Sequence, residues 1–302
     1  MSAADKIRFK LQTATVVEKL IAVNVLAFLV FYLFRTIAYL FNFPSDFLLE
    51  WLVFPKEPLE YIMKPWSIIT YAFLHSGIWH IASNMLILYF SGIYFLNYFS
   101  PKRLLNYYFL GIIIGALVYM LSYNLFPAFQ GTGKSYLIGA SAGVMAVLIG
   151  IATHVPNMRV RLMLIGSVKF WYIAAFLVAL DVIQIPMGNA GGHFAHLGGA
   201  ALGYIYTKQL QKGNDIGKWF ENIMDSVAAL FKQGERKPKM KTVHRNKTQA
   251  AKTRKTTTKN TSSSKNEKQQ KVDNILDKIS KSGYESLSKA EKDYLFQAGK
   301  ED

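Results

Sequence analysis

Residues 137–150 read LIGASAGVMAVLIG: one hydroxyl, on Ser141, ringed by Gly139, Ala140, Ala142 and Gly143 in a run apolar enough to lie in a bilayer. Small residues and serines let membrane helices approach closely, so packing alone accounts for such a stretch. A polar group at membrane depth is also expensive, and by default it marks a functional site. The rest of the chain decides between these readings.

Half of the 302 residues are hydrophobic and 14% are aromatic, which is too apolar for an ordinary soluble domain. Cysteine is absent, so disulfide frameworks, thiolate nucleophiles and Cys metal sites are excluded. The net charge of +16 would suggest a nucleic-acid surface if it were spread over a fold, but 22 of the 35 Lys and Arg residues lie from Lys208 onward.

Six apolar runs are each near the ~20 residues that cross a bilayer: 17–40, 66–98 (core 78–97), 104–126, 136–153, 169–186 and 192–208. The expected fold is therefore an all-α integral membrane protein with six transmembrane helices. Basic residues set its orientation. Lys6, Arg8 and Lys10 precede the first run, Lys102 and Arg103 follow the second, and Arg159, Arg161 and Lys169 follow the fourth. The opposite loops are less basic: the first sets Asp46, Glu50, Glu57 and Glu60 against Lys56 and Lys64, the next holds only Lys134, and IPMGNAGG has no charge. Both termini are expected in the cytoplasm.

Three polar clusters fall in runs that this orientation sends from outside to inside, each near the outer end: His75, His80 and Asn84 in HSGIWHIASNM, Ser141, and His193 and His196 in GGHFAHLGGAALG. His80 and Asn84 are four apart and share a helix face. His196 shares a face with Gly199 and Gly203, a small-xxx-small surface that lets its helix close on a neighbour. Gly139 and Gly143 flank Ser141 at two residues, which on a regular helix puts them on the far side, packing elsewhere. A serine needs a base within hydrogen-bond reach to become a nucleophile, and acyl transfer needs donors aimed at the developing oxyanion. Ser141, His196, His80 and Asn84 at one depth form such a set, whereas each alone reads equally well as helix packing.

The segments PWSIITYAFLHSGIWHIASNM, GASAG and AHLGGAALG, in this order on six spans, resemble the rhomboid intramembrane serine proteases over residues 15–208. The resemblance implies a Ser141–His196 dyad, an oxyanion hole from His80, Asn84 and the Ser141 amide, and single-span membrane proteins as substrates. It implies a gate made by the fifth helix and the cap IPMGNAGG. Two positions depart from the family pattern: Ala142 replaces a glycine, and Met145 stands where an aromatic ring often stacks on the catalytic histidine. Neither removes a catalytic group. Asp181, the one acid within a span, is expected to bond a neighbouring helix or water, with a triad or latch role as the alternative. His193 is read as an interfacial polar residue. No metal or other cofactor is expected.

The chain divides into the membrane domain (1–210), a juxtamembrane amphipathic helix (211–235), a disordered basic linker (236–270) and a C-terminal helical hairpin (271–302). Ile216, Trp219, Phe220, Ile223, Val227, Leu230 and Phe231 recur at helical spacing. The linker carries 13 basic residues and one acid, Glu267, between Arg236 and Lys271. It is expected to be drawn to anionic lipid and, lacking aromatics for base stacking, not to nucleic acid. In the hairpin, Val272, Ile275, Leu276 and Ile279 form a face, Gly283 is a helix stop, and Ser288 to Glu291 is a capping box. The hairpin resembles tail modules on some bacterial rhomboids, and a bacterial inner membrane is the expected location. The rival readings are a non-catalytic rhomboid-like protein that binds transmembrane clients and a transporter. The latter would show internal repeats or paired half-helices.

Overall fold

The computed structural model describes residues 2–44, 46–162, 166–231 and 263–298. They belong to two units, Met1–Glu235 and Arg236–Asp302. In the first unit a capped helix α1 (Ala3–Thr13) leads into α2 (Val16–Leu40), whose start is fixed by a capping box between Thr15 and Glu18. The loop that follows holds α3 (Asp46–Leu52), a two-residue strand β1 (Phe54–Pro55) and α4 (Pro58–Met63).

The second apolar run, read as starting at residue 66, does not begin as one span. It folds as α5 (Ser67–Thr70) and a 3₁₀ turn (Tyr71–Phe73), and only then as α6 (Ile78–Leu96). Ser76 and Gly77, both weak helix formers, interrupt it. After α7 (Pro101–Leu125), capped by Ser100, the chain pairs strand β2 (Tyr136–Leu137) antiparallel with β1 and enters α8 (Ser141–His154). A hairpin of β3 (Arg159–Leu162) and β4 (Gly166–Lys169) leads to α9 (Phe170–Gln184), then α10 (Ala190–Gln211) and α11 (Lys218–Phe231).

The chain is an integral membrane protein. Among the described residues four helical segments, Val16–Leu40, Ile78–Leu96, Pro101–Leu125 and Phe170–Met187, are long and apolar enough to cross a bilayer. The other two expected spans, α8 and α10, lie among them. α8 is the hub, buried from Ala142 through Ala152. With 14 residues it rises only roughly 21 Å, so its N-terminus starts at depth beside the longer α7. Non-helical backbone at such depth is tolerated only when protein surrounds it. Accordingly Gly139 N–H donates to the Tyr71 carbonyl (3.0 Å), and Ala140 is fully buried.

Small residues set how closely the central helices approach. A Cβ on Gly111 or Gly115 of α7 would strike the methyl of Ala146 or Ala142, and one on Gly143 would reach the Tyr108 carbonyl. From the other side, Gly199 and Gly203 of α10 press on the carbonyls of Ala142 and Ala146. Three pairs spaced by four residues therefore interlock, with α8 in the middle. Gly139 departs from expectation. It precedes α8 instead of sitting on its far face, and its φ of +114° suits a turn.

Beyond the C-terminal end of α10, Asp215 ties α10, α11 and α7 together. It accepts hydrogen bonds from Tyr206 (2.7 Å), the Gly217 amide (3.1 Å) and Arg103 (2.8 Å). Lys102 reaches Asp225 at 2.7 Å. On α11, Phe220 packs on the core while Trp219, Ile223 and Val227 stay exposed, an apolar face at helical spacing.

The second unit comprises α12 (Ser263–Ser282), a 3₁₀ turn and α13 (Lys289–Ala298). Gly283 (φ +76°) ends α12, and Ser288 and Glu291 exchange the capping-box bonds that open α13. The expected linker over 236–270 is thereby shortened, because α12 begins at Ser263. Glu267, Lys268, Gln269 and Gln270 are good helix formers, consistent with a helix that starts before Val272. Residues 236–262 of that expectation lie outside the described residues.

Candidate active site

Ser141 is the first residue of α8, so its own N–H and those of Ala142 and Gly143 have no carbonyl one turn back. These amides, at the positive end of the helix dipole, favour negative charge beside the serine. Gly139 makes the turn that places Ser141 there. A Cβ on Gly139 would lie 2.8 Å from the His80 ring and 3.7 Å from the Ser141 Oγ. The glycine thus keeps open the space between serine and imidazole.

His196 enters from α10. Its Nε2 lies 2.7 Å from the Ser141 Oγ, and its Nδ1 lies 2.7 Å from Asp181 Oδ1. The same carboxylate oxygen lies 2.8 Å from His193 Nδ1. His193, read as merely interfacial, is buried and bonded. Phe194, between the two histidines, stacks on Phe126 with centroids 5.3 Å apart, near the N-terminal end of α10. The ligand atoms of Asp181, His193 and His196 lie within 4.8 Å of one another. A metal ion could be held there only by displacing hydrogen bonds already made.

The oxyanion side is built from α6. The Ser76 backbone N–H donates to His80 Nδ1 (3.3 Å), so the ring proton of a neutral His80 sits on Nε2, the nitrogen that faces Gly139. His75 packs edge-on against His80, with centroids 5.1 Å apart. Asn84 is buried and spends one amide hydrogen on the His80 carbonyl (2.8 Å), leaving the other for the cleft. His80, Asn84, Ser141 and His196 thus line one open cleft of about 240 Å³, together with Met145, Asp181 and Gln184. The four residues singled out in the sequence are brought together. Asp181, expected to bond a neighbouring helix or water, lies against two histidines of the neighbouring α10.

Comparison with known proteins agrees with this architecture. Residues 63–212 match the Rhomboid domain, and residues 255–300 match a family of unknown function (DUF6576). Similar proteins include the mitochondrial RHOMBOID-like protein 12 of Arabidopsis thaliana, 33% identical over 49% of this chain and 47% of the relative. Rhomboid-like protease 3 of Toxoplasma gondii is 27% identical over 55% of this chain and 59% of the relative. Inactive RHOMBOID-like protein 8 of A. thaliana is 30% identical over 57% of this chain and 48% of the relative. The chain spans about half the length of these relatives. From its six-helix bundle and the Rhomboid domain match over residues 63–212, the chain belongs to the rhomboid family.

Proposed function

We propose that this chain is an intramembrane serine endopeptidase that cleaves peptide bonds in or near membrane-spanning segments of other proteins. The observation that carries this reading is the 2.7 Å approach of His196 Nε2 to the Ser141 Oγ at the floor of an open cleft. In the first half-reaction Ser141 Oγ attacks the scissile carbonyl carbon while His196 Nε2 takes its proton. The oxyanion receives hydrogen bonds from His80 Nε2, Asn84 Nδ2 and the Ser141 amide. His196 then hands the proton to the leaving nitrogen, the C–N bond breaks and an acyl ester remains on Ser141. In the second half-reaction His196 takes a proton from water, the hydroxide attacks the ester, and Ser141 leaves with that proton. Neither half-reaction calls on a metal or other cofactor.

An apolar groove of about 600 Å³ lies between α6 and α9, lined by Leu86, Phe90, Tyr94, Phe170 and Ile173. It shares Ile87 and Leu177 with the cleft, which supports an apolar substrate helix lying beside α6 with its scissile bond reaching Ser141. The basic residues flanking the spans support termini on the cytoplasmic side of the membrane, with cleavage near the outer face. The mitochondrial and apicomplexan names belong to the relatives. The basic stretch after α11 is proposed to contact anionic lipid.

A relative named inactive motivates the second reading, a non-catalytic protein that holds transmembrane clients. The test is cleavage of a single-span substrate by the purified chain, with Ser141→Ala and His196→Ala as controls, together with labelling of Ser141 by a fluorophosphonate. Cleavage by the wild type but neither variant supports the protease. Cleavage that persists in Ser141→Ala refutes the dyad, and absence of both labelling and cleavage favours the binding protein.

A further inference from the structure

α9 is apolar around its whole circumference, and only three of its residues are buried: Phe170, Ala174 and Asp181. Phe176, Val182 and Ile183 are more than half exposed on its outer side, so Asp181 stands on the narrow inward stripe. A carboxylate within a membrane helix is costly unless it is hydrogen-bonded. Here two imidazoles of α10, one turn apart, supply the bonds: His196 Nδ1 at 2.7 Å and His193 Nδ1 at 2.8 Å from the same oxygen.

An ionised carboxylate only accepts, so both Nδ1 atoms donate to it. A neutral His196 that donates from Nδ1 carries its lone pair on Nε2, the atom facing the Ser141 hydroxyl. That is the tautomer a general base requires, and the carboxylate also favours the imidazolium formed during attack. We propose that Asp181 is the positioning residue of a Ser141–His196–Asp181 relay, so that this chain orients its base with a carboxylate. The inference deepens the serine-protease reading and rests on it for its catalytic consequence.

Its location adds a second consequence. Asp181 belongs to α9, the wall of the apolar groove, whereas Ser141 and His196 belong to the tightly interlocked α8 and α10. The base is therefore fully oriented only while α9 is seated on α10, and His193 strengthens that seat.

The test uses the full-length purified chain and its Asp181→Asn, Asp181→Ala and Asp181→Glu variants. Replacing the carboxylate of a Ser–His–Asp triad by an amide leaves the geometry but costs about 10⁴ in kcat. For Asp181→Asn we expect kcat to fall about 10²–10⁴-fold while KM changes less than about threefold. Asp181→Ala should fall as far, and Asp181→Glu should recover at least about tenfold of that loss. A fall below about tenfold for Asp181→Asn in a protein that melts like the wild type overturns the inference. ¹⁵N spectra of histidine-labelled protein give a readout independent of turnover. His196 should be Nδ1-protonated in the wild type and lose that state in Asp181→Asn. An Nε2-protonated His196 in the wild type overturns the inference even if the variants fail to fold. If the wild type neither cleaves nor labels, the protease reading fails, while the spectra still decide whether Asp181 sets the tautomer.

Discussion

Gly199 of α10 lies so close to the Ala142 carbonyl of α8 that a Cβ on the glycine would collide with the oxygen. Ala142 follows the serine and Gly199 lies one turn after His196, so this backbone contact sets the distance between nucleophile and base. A methyl group there cannot be absorbed by a rotamer change, because the obstacle is backbone. Gly199→Ala is expected to destabilise the bundle by about 1–3 kcal/mol, the usual cost of overpacking, and to weaken fluorophosphonate labelling of Ser141. Gly133→Ala, where nothing lies within 4 Å, serves as the control and should change neither the melting temperature nor the labelling.

Gly139 and His80 make a second pair in which backbone conformation protects chemistry. The positive φ of Gly139 and the 2.8 Å that would separate a Cβ there from the His80 ring exclude any side chain. His80→Ala removes the donor and is expected to lower kcat by about 10²–10³-fold, the cost of one oxyanion-hole donor. Gly139→Ala should lower it comparably by pushing the ring aside, with substrate affinity nearly unchanged. Steady-state cleavage of a single-span substrate separates the two parameters, and an unaltered kcat in His80→Ala would remove it from the oxyanion site.

The contrast between what the sequence discloses and what it withholds follows from physics. His80, Asn84, Ser141 and His196 were legible because polar groups in apolar runs are conspicuous and charge alternation puts them at one depth. Gly139 was misread because nothing in LIGASAGVMAVLIG marks where the helix starts, and one turn of error moves a residue from helix to loop. The Gly111–Gly115 pair went unnoticed because α7 has apolar residues on every face, so periodicity does not single out its seam. Asp181 shows the same limit. α9 is apolar all round, so the face it buries is chosen by α10 and only the folded chain reveals the two imidazoles.

The C-terminal hairpin offers an acid-range test of its own. Glu291 accepts both hydrogen bonds of Lys278 at 2.9 Å and caps α13 through Ser288. The Lys278 ammonium first, and the Ser288 amide and hydroxyl after it, hold the Glu291 carboxyl at about 2, below its ordinary 4.5. A carboxyl depressed on folding adds stability above its unfolded value and loses it as the pH falls through the folded one. The hairpin should therefore be unaffected down to about pH 4.5 and loosen between there and about pH 2. ¹³C-labelled Glu291 in the full chain should titrate near the lower limit. Lys278→Ala should raise that midpoint, and an unchanged midpoint would remove the lysine as its cause.

Between α10 and α11, Asp215 is expected to govern how α11 stays attached. Burial by itself would raise this carboxyl, but the bonds from Tyr206 and Arg103 outweigh it, and the net displacement is below the ordinary 3.8. The same sign rule applies: the clasp is complete above about 3.8 and weakens only as acid protonates the carboxylate. Asp215→Ala leaves the Tyr206 hydroxyl, the Gly217 amide and Arg103 without their acceptor, at a cost of about 1–3 kcal/mol for a buried unmet group. Gly217 has no room to compensate, since a Cβ there would collide with the Tyr206 hydroxyl. Hydrogen exchange at the start of α11 should accelerate in Asp215→Ala at neutral pH, and in the wild type only under acid. Because Ser141 and His196 sit at the opposite end of the bundle, labelling of Ser141 should persist in that variant. Loss of labelling with α11 still protected would show that Asp215 acts on the active site and not on the clasp.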